Sequence, residues 1–232
     1  SRQIHIFHPF SFHTDWNLLK KILYIGIPNG LENSMFQLGK ILVLSLVTSF
    51  GTASIAANAV SNNIAMFAVL PGMSIGFAML TVSAQCVGAG DFEQVKYYTK
   101  KLMKLTYICL ILMNILVVLL LPFIIKVYGL SAEASEYARR ILIYHSCCVV
   151  TIWPLSFSLA NTLRAAADVK YTMILAIVSM WTFRIGFSYI LGSYLKWGVF
   201  GIWVAMTIDW LFRSICFTIR YLGGKWKHAS LV

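Results

Sequence analysis

Residues 51–90 read GTASIAANAVSNNIAMFAVLPGMSIGFAMLTVSAQCVGAG, forty positions without one charged side chain. The ten residues before them, ILVLSLVTSF (41–50), extend the uncharged run to fifty. Two further runs, 105–125 and 141–163, are also free of charge. A helix crossing the hydrocarbon of a bilayer needs about 20 apolar residues, so these runs alone imply four crossings. Working outward, the whole chain of 232 residues is 59% hydrophobic and 12% charged, against roughly 45–50% and about 25% for soluble domains. That composition excludes a secreted disulfide scaffold, a disordered tail and a soluble nucleotide-binding enzyme. The first 21 residues lack the basic start, apolar middle and small-residue cleavage site of a signal peptide.

Apolar length set against helix breakers predicts an all-α, polytopic membrane protein: a bundle of six transmembrane helices. The spans are expected at about 22–50, 54–88, 105–125, 141–163, 171–195 and 199–222, within a bundle covering 18–222. Residues 1–17 are then a cytoplasmic arm, or linker to another lobe, and 223–232 a cytoplasmic tail. The stretch 92–104 reads as an amphipathic helix lying on the membrane surface. Lysine and arginine lie asymmetrically about these spans. Twelve fall on the side carrying Arg2, Lys20, Lys96, Lys101, Arg164 and Lys227, and four on the side carrying Lys126, Arg139, Arg140 and Lys196. The positive-inside rule therefore puts both termini in the cytoplasm, and the chain is expected to be an integral protein of the plasma (inner) membrane.

The net charge of +11 sits in short stretches between apolar spans, so its expected partner is the anionic face of the lipid bilayer, not nucleic acid. The five cysteines, Cys86, Cys109, Cys147, Cys148 and Cys216, lie within apolar runs without metal-ligand or redox spacing. His5, His8 and His13 have no accompanying carboxylate or thiol pattern, so no metal site is expected. The absence of His-Glu-x-x-His and of paired acidic motifs argues against an intramembrane enzyme, and His145 is the sole histidine inside a span.

Pro28, Pro71 and Pro154 fall within spans, where proline frees a carbonyl and bends the axis. Gly72 and Gly76, following Pro71 at small-xxx-small spacing, allow another helix to approach closely. Polar residues deep in the bilayer are costly and need a partner or a wet cavity. Glu32 lies 12 residues beyond Lys20, about 18 Å into the membrane. It shares one helical stripe with Asn29, Asn33, Gln37 and Lys40, and Lys40 is high enough to snorkel to the outer surface. Asn58 and Asn62 form a similar stripe on the second span, and Tyr144 and Thr151 belong to a milder one on the fourth. Such stripes face each other or a shared aqueous cavity, so these eight residues, Lys40 apart, are the candidate substrate and ion cavity. Asp209 and Arg213, at i, i+4 with the acid first, read as a structural ion pair, with Arg184 a candidate third member. That leaves Glu32 as the deep carboxylate without an evident partner.

These features fall into an ordered series. It comprises Gly26-Ile27-Pro28-Asn29-Gly30-Leu31-Glu32, Gly51-Thr52 with Ala56-Ala57-Asn58-Ala59, Pro71-Gly72 with Gly76, and Gln85-Cys86-Val87-Gly88-Ala89-Gly90-Asp91. Leu163-Arg164-Ala165-Ala166-Ala167-Asp168, Gly198-Val199-Phe200-Gly201 and Asp209-Trp210 continue it. From about Trp16 to Lys227 the chain resembles the multidrug and toxic compound extrusion (MATE) family. The resemblance implies that the six-helix bundle is one lobe, the C-terminal one, of a twelve-helix antiporter whose N-terminal six-helix lobe is missing from this chain. It implies export of cationic or lipophilic small molecules in exchange for Na⁺ or H⁺, with no cofactor beyond that coupling ion. In some branches of the family the ion uses acids in the first and fourth helices of this lobe. Glu32 lies at the first of these regions, and the fourth span has no carboxylate. The alternative within the same superfamily is a lipid-linked oligosaccharide flippase, which needs a cation-lined cavity. Here Lys40 and Arg184 stand against Glu32 and Asp209, a mixed lining.

Overall fold

The computed structural model describes residues 15–228. The expectations for residues 1–14, including Arg2 and the arm histidines, and for residues 229–232 lie outside them. Helix α1 runs Trp16–Thr48, α2 Thr52–Gly88, α3 Phe92–Tyr128 and α4 Ala132–Thr151; α5 is Leu159–Ala165, α6 Val169–Ser179 and α7 Gly198–Leu222. Among the described residues there is no strand. Local chemistry sets the helix starts. Asp15 accepts from the Asn17 and Leu18 amides, Asp91 from Gln94 and Ser131 from Ala134, each a side chain satisfying backbone donors that a helix start leaves open. Between α1 and α2 the chain turns at Gly51, whose φ of 91° is a conformation that a side chain disfavours.

Four helices, counting α6 together with its continuation to Tyr194, are long and apolar enough to cross a membrane, and α4 with α5 forms a fifth, broken span bent by 55°. The sixth expected span is α1. Its 33 residues are ample in length, but the polar positions on its central turns dilute its apolar character. The break after α4 falls where Pro154 opens a π-helical segment, Pro154–Ser158. Two more π-helical segments, Met180–Gly186 and Ser188–Tyr194, continue α6 with no proline to announce them. Residues 92–104 are not a separate surface helix. They form the first turns of α3, unbroken for 37 residues, because nothing between Phe92 and Leu105 interrupts helical hydrogen bonding.

Packing follows the small residues. A Cβ on Gly72 would stand 2.6 Å from the Trp153 ring, and one on Gly76 would stand 2.8 Å from Asn161 Nδ2, so these two glycines are where the broken fourth span docks on α2. The main apolar cluster, with Val47, Leu110, Val149, Trp153, Trp203 and Trp210, joins α1, α3, α4 and α7. A second cluster gathers Cys86, Val95, Leu163 and Phe217 around Trp226. The tail expected from residue 223 folds back in part: Trp226 is buried, stacks on Tyr221 at 5.6 Å and donates to the Tyr221 carbonyl at 2.8 Å.

Candidate functional site

On the flank formed by α1 and α2, a cavity of about 460 Å³ opens between α1, α2, the broken fourth span, α6 and α7. Its apolar wall is built of Met66, Met73, Phe77, Trp153 and Phe157, and its polar wall of Lys40, Asn62, Asn63, Asn161, Arg164 and Arg184. A smaller recess of about 270 Å³, reached past Asn58 and Val43, shares Lys40, Asn62, Arg184 and Trp203 with it, so the two form one continuous cleft. The aromatic floor is rigid. Trp153 stacks on Phe157 at 5.1 Å, Phe157 meets Trp210 edge-on at 5.6 Å, and His145 stands edge-on between Trp203 and Trp210. The Trp203 indole donates to Asn58 Oδ1 at 3.1 Å, and Asn62 donates to the Asn58 carbonyl at 2.8 Å, which pins Asn58 as a support behind the lining of the larger cavity.

The expected site residues divide. Asn62 lines both parts of the cleft and Asn58 the recess. Asn33, Gln37 and Lys40 are exposed on α1, with Asn29 half-buried beside them. Of these, Lys40 faces the cleft, its Nζ 5.0 Å from the Phe36 ring. Glu32 is not partnerless: Arg164 donates to its Oε1 at 2.6 Å, while Glu32 Oε2 has no hydrogen-bond partner among the described residues. Tyr144 and Thr151 lie outside the cleft. Tyr144 shares a hydrogen bond with Thr207 and packs edge-on against Phe200, and Thr151 turns its hydroxyl back to the Cys147 carbonyl. Their stripe was real in spacing, but Tyr144 packs against α7 and Thr151 is exposed away from the cleft.

Asp209 is fully buried and receives Arg213 Nε and Nη2, each at 2.9 Å, together with the Ser179 hydroxyl. Arg184 makes no ion pair or side-chain hydrogen bond with that pair, though it lies close enough for Asp209 and Arg213 to act on it electrostatically. Its guanidinium lies 5.1 Å from the Phe36 ring, against which Lys40 also stands. A third, partly buried connection, Arg220 gripping Asp168 at 2.7 and 3.1 Å, ties the end of α7 to the start of α6. Neither Arg164 nor Arg220 stood out in the sequence, where both counted as cytoplasmic-side cations; their partners are 132 and 52 residues away, beyond any local pattern. The segment Gly72-Met73-Ser74-Ile75-Gly76 spells the Gly-x-Ser-x-Gly of a nucleophile elbow, which requires a strand-to-helix turn. Here it lies inside α2, with Ser74 exposed and bonded to the Leu70 carbonyl at 3.1 Å.

The described residues thus form an all-helical bundle, with helices long and apolar enough to cross a membrane and an amphipathic cleft on one flank. The chain belongs to the MatE family, whose model matches residues 28–190. It is similar to "Probable multidrug resistance protein YoeA" of Bacillus subtilis (strain 168), with 28% identity over 222 residues, 94% of this chain and 46% of that one. It is also similar to "Probable multidrug resistance protein NorM" of Thermotoga maritima, with 22% identity over 221 residues, 94% of this chain and 47% of that one. Among solved structures, an outward-facing multidrug resistance MATE transporter of the MOP superfamily superposes with a TM-score of 0.82 at 18% identity, covering 95% of this chain and 50% of that one. A MOP-superfamily transporter from Pyrococcus furiosus gives the same score and identity over 95% of this chain and 49% of its own. These structural likenesses establish the fold. The chain spans about half the length of the curated relatives it matches.

Proposed function

We propose that this chain is the C-terminal lobe of a secondary antiporter that exports lipophilic small molecules in exchange for Na⁺ or H⁺, sharing a central cavity with an N-terminal six-helix lobe. The observation that carries the reading is the cleft itself. A lipid-facing flank has no use for exposed Asn33, Gln37, Lys40, Asn62 and Asn63, whereas a flank closed by a second lobe around a wet cavity does. Of the cationic and lipophilic substrates expected from the family, the wall of Met66, Met73, Phe77 and Trp153 favours the lipophilic class. The multidrug resistance names of the relatives above point the same way, and neither enzyme chemistry nor the flippase alternative is adopted. Glu32 is our candidate for the ion-coupling acid of this lobe, because Arg164 holds one of its oxygens and the other, though buried, has no hydrogen-bond partner among the described residues. Both termini are placed in the cytoplasm.

The test is transport by the full-length protein in sealed vesicles, using a lipophilic fluorescent compound and imposing Na⁺ and H⁺ gradients in turn. One of the gradients is expected to drive uptake into inside-out vesicles. In intact cells, Lys196→Cys is expected to label from outside and Lys101→Cys not. Transport indifferent to both gradients refutes the antiport, and the reverse labelling refutes the orientation.

A further inference from the structure

Four ion pairs are formed among the described residues: Glu93 with Lys96, Glu32 with Arg164, Asp168 with Arg220 and Asp209 with Arg213. Every carboxylate that reaches the bundle interior is therefore already matched by its own arginine. Two cations at the cleft are left over, Lys40, exposed on α1, and Arg184, largely buried. Neither has a carboxylate oxygen within 4.0 Å among the described residues. Both line the large cavity and its recess, and both lie against one ring, Phe36, at 5.0 and 5.1 Å. The mixed lining read from the sequence thus becomes a cationic one once the pairs are drawn, so it is the names of the relatives, and not the lining, that speak against a flippase.

Arg184 is the more telling of the two. It is buried to more than nine-tenths, yet its guanidinium makes no hydrogen bond to any described residue; the single bond at this position is the Ser188 hydroxyl donating to the Arg184 carbonyl. A guanidinium carries five donors in a planar fork suited to a carboxylate or sulfonate. Its nitrogens are open to the cleft and not sealed off, and Asp209 acts on it only from beyond ion-pair distance, so an anion in the cleft would gain charge-assisted bonds that no described residue supplies. The residue also sits in the π-helical segment Met180–Gly186, a distortion found at functional sites more than elsewhere, and here the wider turn holds the side chain over the cavity. Beside it, Asn62 lines the same space and offers amide hydrogen-bonding groups.

We propose that Lys40, Arg184 and Asn62 form a binding site for the anionic group, a carboxylate or sulfonate, of an amphiphilic substrate whose apolar body rests on Met66, Met73 and Trp153. The proposal rests on the reading that substrate enters this cleft. An acidic side chain of a second lobe has the same chemistry as such a substrate, and the experiment separates the two.

The full-length transporter is placed in nanodiscs of zwitterionic phosphatidylcholine, and two probes of matched shape and opposite charge, 1-pyrenebutyrate and 1-pyrenebutylamine, are titrated against tryptophan emission. The wild type is expected to bind the carboxylate about tenfold more tightly than the amine, one ion pair's worth of discrimination. Arg184→Gln and Lys40→Gln are each expected to bring that ratio toward one, and Arg184→Lys to restore part of it. Equal or tighter binding of the amine by the wild type overturns the site, as does a ratio unchanged in both glutamine variants. A wild type without charge preference, combined with a lowered melting temperature in Arg184→Gln, assigns the cations to a protein carboxylate and also overturns it. Should Arg184→Gln fail to fold, the exposed Lys40→Gln carries the comparison alone. Gradient-driven export of the amine without a carboxylate preference removes the site and keeps the antiporter; a carboxylate preference without gradient-driven transport does the opposite.

Discussion

Two arginines on neighbouring helices meet opposite circumstances. Arg213, on α7, closes on Asp209 through two 2.9 Å bonds in a fully buried pocket. Arg184, in the π-helical continuation of α6, is nearly as buried but opens on a cavity and holds only an aromatic face. The contrast teaches that burial of charge in this bundle is of two kinds. One is complete within the lobe, so its removal is felt by the fold. The other is incomplete within the lobe, so its removal is felt by whatever enters the cleft. The Glu32 pair lies between these cases, because Arg164 is itself partly exposed and Glu32 retains a free oxygen.

The hardest blow to this contrast comes from Asp209→Asn, which leaves Arg213 buried without its counter-charge. The variant is expected to lose about 3 kcal/mol of stability, read as a large drop in melting temperature and folded yield in detergent. A variant that melts with the wild type would place Asp209 with the open groups. A smaller effect is expected from Glu32→Gln: about 1 kcal/mol, because Arg164 keeps its bond to Asn161 and reaches water. A loss as large as that of Asp209→Asn would show that the Glu32 pair is closed as well. The smallest effect is assigned to Arg184→Met, expected to melt within about 1 kcal/mol of the wild type, since the lost contact with Phe36 is offset by relief of an unpaired buried charge. A loss of several kcal/mol there would erase the distinction between the two arginines.

The spans were legible in the sequence because hydrocarbon thickness is a length and uncharged runs measure it directly. The 41–90 run, the bend at Pro154 and the close approach at Gly72 and Gly76 all follow from local rules. The π-helical segments after Ser179 do not, because no proline marks them and the glycines within them, Gly186 and Gly192, are by themselves compatible with an ordinary helix. The same limit governs the cleft. Helical spacing placed Asn29, Glu32, Asn33, Gln37 and Lys40 on one stripe, but it gives a direction around one axis and not the identity of the facing helix. Hence Glu32 read as unpaired until Arg164 arrived from the far end of the fourth span. The milder stripe of Tyr144 and Thr151 read as cavity lining until the neighbouring helices covered or bypassed it. Lys40 and Arg184 were visible as deep cations, but their isolation emerged only after every nearby acid had been matched elsewhere.

The contact between Gly72 and Trp153 makes two distant positions interdependent. With the Trp153 ring only 2.6 Å from where a Cβ at position 72 would lie, alanine is excluded there while tryptophan stays, and a smaller residue at position 153 opens a void while glycine stays. Each change is expected to cost more alone than beside the other, and a Cβ at position 72 also asks the Leu110 side chain, 3.2 Å away, to give. The angle at which the fourth span leans on α2 therefore depends on both positions together.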